Sequence, residues 1–207
     1  MSAQPQPRLT PEQYLAVERA AEFRSEYYNG VMYAMSGASY AHVLIATNWS
    51  GELRDALKKR PCTVAAVDLR VRVSKGGLYT YPDIIVVCGE PEFADDQKDT
   101  LLNPTLLIEI LSPSTEGYDR GFKFAQYRTI ESLQEYALTS QIEPRVEIFR
   151  RQPGGDWLMS EAVGLEGACR FETIDRSIAL ADIYDKVTFA TGEPSSRPSP
   201  NGGDLTR

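Results

Sequence analysis

Three side chains stand out for the chemistry they could do: Glu109, Asp83 and Lys123. Glu109 lies inside Leu106-Leu107-Ile108-Glu109-Ile110-Leu111, a run that is apolar on both faces of a two-residue period apart from this one carboxylate. A carboxylate in such a strand is at least partly buried, and burying it without a partner costs several kcal/mol, so it calls for a cation, a metal or a proton. A structural salt bridge to a neighbouring strand answers that need equally well. Asp83 opens the second apolar run, Tyr81-Pro82-Asp83-Ile84-Ile85-Val86-Val87, just after a proline that cannot donate to a ladder. Alone it could merely satisfy turn amides. Two carboxylates on adjacent strands at the edge of an apolar core form a hard-oxygen site suited to Mg²⁺ or Mn²⁺. Lys123 follows on a helix where Asp119, Lys123, Gln126 and Tyr127 share a face. It either forms a surface pair with Asp119 or reaches the metal to orient water and stabilise the phosphate.

The elements that must position these groups are readable from pattern. Thr10-Pro11-Glu12-Gln13 carries a capping box and a proline at the first helical position, and predicts a helix to about Phe23. Asn29-Gly30 between Ser25 and Ser36 predicts a hairpin. Ser39 caps a predicted helix over 40–59, ended by Pro61. Asp68 to Val73 alternates as a half-buried strand, Lys75-Gly76-Gly77 turns the chain, and Leu78–Cys88 reads as the next strand. An acidic loop precedes the Glu109 strand, and a helix over about 118–130 follows it. Strands at 135–140, 145–151 and 157–163 and a short helix at 180–187 complete the reading. The organisation is a loose N-terminus over 1–9, one domain over 10–190, and a Pro/Gly/Ser-rich tail over 191–207 expected to be disordered. The fold class is α/β or α+β.

Composition excludes several functions. With 22 Lys+Arg against 29 Asp+Glu the net charge of 207 residues is −7, which argues against a broad polybasic nucleic-acid binder but permits a local groove. One histidine, His42, leaves no room for a three-histidine metal site. Three widely spaced cysteines make a disulfide scaffold or zinc site improbable; Cys62, Cys88 and Cys169 read as small apolar core residues. No apolar run reaches 18 residues and the N-terminus has no signal-peptide core, so a cytoplasmic protein without membrane contact is expected.

Pro82-Asp83 followed by Glu109 inside an apolar strand resembles the PD-(D/E)xK nuclease superfamily. The wider set is similar to a bacterial family of restriction-endonuclease-like proteins (Uma-type). It comprises Arg24-Ser25-Glu26-Tyr27-Tyr28-Asn29-Gly30, His42, Tyr81-Pro82-Asp83-Ile84, Ile108-Glu109-Ile110-Leu111-Ser112-Pro113-Ser114-Thr115, and Asp119 with Lys123 and Tyr127. The resemblance spans about residues 11–187 and implies a central mixed β-sheet flanked by helices, here with extra C-terminal strands. It also implies a divalent-metal phosphodiesterase site. Asp83 and Glu109 would hold Mg²⁺ (or Mn²⁺), joined by the Ile110 carbonyl. One position departs from the superfamily pattern: Leu111 stands where a lysine is usual, and by resemblance to families that move the lysine to the following helix, Lys123 would be its replacement. Glu26 and His42 are further candidates for metal, water or phosphate contacts, with Asp119 and Tyr127. Arg70 and Arg72, on the polar face of a strand, are candidate DNA-backbone contacts or edge-solubilising residues. The leading reading is a metal-dependent DNA endonuclease acting on duplex, possible as a homodimer. A catalytically inert nuclease-fold module binding nucleic acid or protein is the alternative, favoured by Leu111 and the acidic total, and a small-phosphoester hydrolase is a third.

Overall fold

The structure, a computed structural model, describes residues 8–73 and 77–189. The disordered tail expected over 191–207, most of the loose N-terminus and most of the Lys75-Gly76-Gly77 turn lie outside the described residues. Helix α1 (Pro11–Ala20) begins with the capping box expected from its sequence: Thr10 Oγ1 accepts from the Gln13 amide, and Gln13 Oε1 accepts from the Thr10 amide. Strands β1 (Ser25–Tyr28) and β2 (Val31–Ala34) form the Asn-Gly hairpin. Asn29 and Gly30 both take positive φ, 47° and 88°, which is the turn geometry that Asn-Gly favours. Helix α2 (Tyr40–Leu57) is capped by Ser39.

The remaining strands are β3 (Cys62–Ala66), β4 (Arg70–Val73), β5 (Leu78–Thr80), β6 (Ile84–Cys88), β7 (Thr100–Leu101), β8 (Leu106–Leu111), β9 (Glu135–Ser140), β10 (Arg145–Arg151), β11 (Trp157–Val163), β12 (Ala168–Phe171) and β13 (Arg176–Ala179). They form two main sheets and a hairpin. A mixed six-stranded sheet has the order β11-β10-β9-β8-β6-β3, with β8 and β9 parallel. A five-stranded sheet runs β2-β1-β5-β4-β7, and β12 pairs with β13. Helix α3 (Glu116–Tyr118), a π-helical turn (Asp119–Lys123) and α4 (Phe124–Tyr127) form one helical segment after β8, and α5 (Leu180–Ile183) ends the described fold.

Strand β8 is covered on both faces, as its unbroken apolar pattern demands. Leu106, Ile108 and Ile110 pack with Ile45, Trp49 and Leu53 of α2 and with Phe171 and Ile178 of the β12–β13 hairpin. Leu107 and Leu111 pack with Val71, Leu78 and Leu101 of the five-stranded sheet and with Tyr127 and Leu133. The six-stranded sheet is therefore the middle layer, and Glu109 points into the same side as the second sheet and the helical segment.

Strands β7, β12 and β13 were not expected from the sequence, and two further differences bear on how the sheets are joined. The run 78–88 is two strands in two different sheets, because Tyr81-Pro82 breaks the ladder and lets the chain cross between them. Strand β3 joins the edge of the middle sheet, and its register sets Cys62 directly opposite Cys88. These two form a disulfide, while Cys169 alone is a buried free thiol. A separation of 26 residues conceals that pairing until the register is known.

Candidate active site

The β6–β8 register builds the pair of carboxylates. Ile84 lies opposite Ile108 and Ile85 opposite Leu107. One step outward along the same antiparallel ladder, Asp83 falls across from Glu109, where opposed side chains share a face. Asp83 Oδ2 accepts from the Ile110 amide at 2.7 Å and Oδ1 meets His42 Nε2 at 2.9 Å. His42 is delivered by the first turn of α2. Ser39 caps that turn, donates to Gln141 Oε1 at 2.6 Å, and Gln141 in turn donates to the Leu111 carbonyl at 2.9 Å. The helix start is thus tied to the end of the Glu109 strand.

The helical segment supplies the cation. Asp119, Lys123 and Tyr127 recur every fourth residue and face β8; the π-helical turn over 119–123 widens the helix where two of them lie. Lys123 Nζ stands 3.1 Å from Glu109 Oε1, 3.0 Å from Glu26 Oε1 and 3.4 Å from Asp119 Oδ1. Tyr127 donates to Glu109 Oε1 at 2.8 Å. Lys123 is 6% exposed and Glu109 3%, so this is not a surface pair. Glu26 comes from β1 in the other sheet, where it accepts from Thr80 and, at 3.1 Å, from Tyr118.

Electrostatics follow from burial and crowding. Burial, with the charges of Asp119 and Asp83, raises the Glu109 carboxyl well above its ordinary value against the pull of Lys123 and Tyr127. Burial also raises Asp119, opposed by Lys123. Burial works against the Lys123 ammonium, but Glu109, Glu26 and Asp119 outweigh it and hold its pKa well above the ordinary lysine value. For His42, too, burial is outweighed by the bond to and charge of Asp83, so its pKa is raised.

The donor set fits a hard divalent cation. Among the described residues no group of three or more His, Cys, Asp and Glu side chains is placed to hold a metal. Asp83 and Glu109 offer two carboxylates, and the hydrogen bonds that Glu109 receives end on Oε1, leaving Oε2 for another partner. One or two carboxylates completed by water, a carbonyl and substrate phosphate are what Mg²⁺ usually takes. The excess of carboxylates over cations argues in the same direction.

These groups open onto a cleft of about 1050 Å³ lined by Glu26, His42, Asp83, Glu109, Asp119 and Lys123 together with apolar and aromatic side chains. The sequence-based candidates Asp83, Glu109, Lys123, Glu26, His42, Asp119 and Tyr127 come together, and the Ile110 backbone is bound to Asp83. Arg70 does not join them. It is 3% exposed and held by Tyr81, Thr100 and Asp99, with its guanidinium over the Tyr14 ring. Its reading as a DNA contact is corrected to a structural role, because it faces inward between α1 and the second sheet. Arg72 is half-buried and its Nε has no hydrogen-bond partner among the described residues. Thr80 and Tyr118 were not legible as site residues, being neutral; the signals available were a threonine three residues before Asp83 and a tyrosine beside Asp119.

Comparison with known proteins decides the family. Residues 11–177 match the Uma2 family, described as "Putative restriction endonuclease". The chain belongs to the Uma2 family. Two Synechocystis sp. proteins, slr1290 and sll1609, are each 35% identical to it, over 89% and 79% of this chain and 96% and 92% of their own lengths. The crystal structure of a "putative nuclease belonging to DUF820" from Anabaena variabilis superposes with a TM-score of 0.69 at 18% identity, covering 85% of this chain and 97% of that one. That likeness shows a shared fold, and this Uma2 chain carries its carboxylate cluster where the two sheets meet.

Proposed function

We propose that the protein is a divalent-metal-dependent endonuclease that hydrolyses phosphodiester bonds of DNA. The observation that carries this reading is the Asp83–Glu109 pair facing a cleft with Lys123 buried beside it. Asp83 and Glu109, with the Ile110 carbonyl, would hold Mg²⁺ or Mn²⁺. When bound there, such an ion polarises the phosphate and acidifies water. Lys123 lies within hydrogen-bond reach of Glu109 and keeps its proton, so it can fix the orientation of the attacking water and offset charge on the phosphate. Tyr127 and Glu26 hold Glu109 and Lys123 in place, and His42 fixes the Asp83 carboxylate. Together they spare the site any reorganisation when substrate arrives.

The test is plasmid nicking with Mg²⁺ or Mn²⁺ against a chelator control. Asp83→Asn and Glu109→Gln should each reduce nicking by at least about 100-fold, the scale of losing a group that stabilises the transition state electrostatically, with circular dichroism unchanged. Undiminished cleavage by both variants would refute the assignment.

A further inference from the structure

The walls of the cleft, rather than its floor, indicate what form of nucleic acid enters. Among the described residues the lining contains no arginine and one lysine, Lys123, already engaged by three carboxylates. Arg120 and Arg145, which line the small pocket next to the cleft, are each paired with two glutamates. Duplex DNA carries a charge every 1.7 Å or so of its axis, and proteins grip it chiefly by neutralising phosphates with Lys and Arg. This cleft has little to offer such a ligand.

It offers aromatic surface instead. Tyr28 meets Phe122 edge-on with centroids 4.7 Å apart, and Phe122 stacks on Tyr118 at 5.4 Å and 16°. All three line the cleft. Tyr33, placed by the hairpin register directly across from Glu26, shares the hairpin face that carries Glu26 and Tyr28 and looks into the site. Tyr33 is 51% exposed on the edge strand β2, with Met35 beside it in the lining. Proteins hold unpaired strands with aromatic side chains on which the bases stack together with cations along the backbone; a single strand carries half the charge per length of a duplex and so asks for fewer of those cations.

We infer that the cleft takes an unpaired nucleic-acid strand, whose bases stack on Tyr33 and on the Tyr28–Phe122–Tyr118 wall while a backbone phosphate reaches Asp83 and Glu109. The inference rests on the nuclease reading for the last clause only. Continuity of the aromatic wall with the carboxylate floor fixes the occupant as a strand rather than a detached apolar ligand.

The experiment measures fluorescence anisotropy of a labelled single-stranded oligothymidine, a blunt duplex of the same length and an abasic strand of that length, each with Ca²⁺ in place of Mg²⁺. The oligothymidine should bind about 10-fold or more tighter than the abasic strand, the scale of stacking one base on an aromatic ring, and tighter than the duplex. Tyr33→Ala should remove about that factor, and Tyr33→Phe should restore it. Equal binding of thymidine and abasic strands, preference for duplex, or no effect of Tyr33→Ala would overturn the inference. Cleavage of the same single strand and of plasmid, assayed with Mg²⁺ or Mn²⁺, separates the two claims. Cleavage with base-independent binding removes this inference alone, whereas base-dependent binding without cleavage in any metal removes the nuclease reading alone.

Discussion

Lys123 is one ammonium among three carboxylates, and each of its contacts is buried. Replacing it by methionine keeps much of the volume and leaves Glu26, Glu109 and Asp119 without their cation. Breaking a buried pair in this way costs about 3–5 kcal/mol, so Lys123→Met should lower the urea midpoint accordingly at neutral pH. Adding Glu26→Gln to that variant should recover part of the loss, because one uncompensated charge is gone. A midpoint unchanged by Lys123→Met would show the ammonium to be solvated. At this scale the sequence was most legible where a residue broke its own pattern. A carboxylate in the middle of Leu106–Leu111 demands a partner, and four-residue spacing places Asp119, Lys123 and Tyr127 on one face. Thr80 and Tyr118 violate no pattern, so only the folded arrangement shows them bound to Glu26. Arg70 misled for the same reason: alternation marks the face of a strand as polar but does not say whether α1 covers it.

Elements were legible in proportion to how local their determinants are. The α1 capping box, the Asn-Gly hairpin and strands β8 to β11 follow from short-range chemistry. Strand β3 was missed because Cys62-Thr63-Val64-Ala65-Ala66 follows Pro61 with small residues and no clear alternation, and it is completed by pairing with β6. Helix α2 depends on Ser39 for both its start and its tie to Gln141. Ser39→Ala should cost about 1 kcal/mol in denaturant unfolding, the usual value of an N-cap; a change near zero would mean that solvent replaces the cap fully. The Cys62–Cys88 bridge closes a loop between β3 and β6. Reduction, or paired replacement by serine, should lower stability by about 3 kcal/mol as loop-closure entropy returns to the unfolded chain, and mass spectrometry of protein alkylated in denaturant should find one modified thiol before reduction and three after.

The whole molecule is two sheets layered across a single seam, and the seam was the least legible feature, since which strands pair is a matter of long-range register rather than local pattern. Part of that seam is electrostatic. Arg19 of α1 binds Asp95 and Asp99, and Asp99 also meets Arg70. The hydrogen bond from Arg19 holds the Asp99 carboxyl well below its ordinary range, against a smaller opposing effect of burial. A depressed native pKa means that the unfolded chain takes up the proton first. This contribution is therefore present above about pH 4 and lost as pH falls below it. Asp99→Asn should flatten the acid limb of a stability–pH curve while Asp83→Asn leaves that limb's Asp99 component in place; identical limbs in wild type and Asp99→Asn would contradict this. The seam has a consequence for synthesis on the ribosome. Glu26 and His42 emerge early, Asp83 and Glu109 later, Lys123 later still, and β8 gains its parallel neighbour only with residues 135–140. A nascent or prematurely terminated chain ending before that point lacks the strand that completes the sheet beside Glu109.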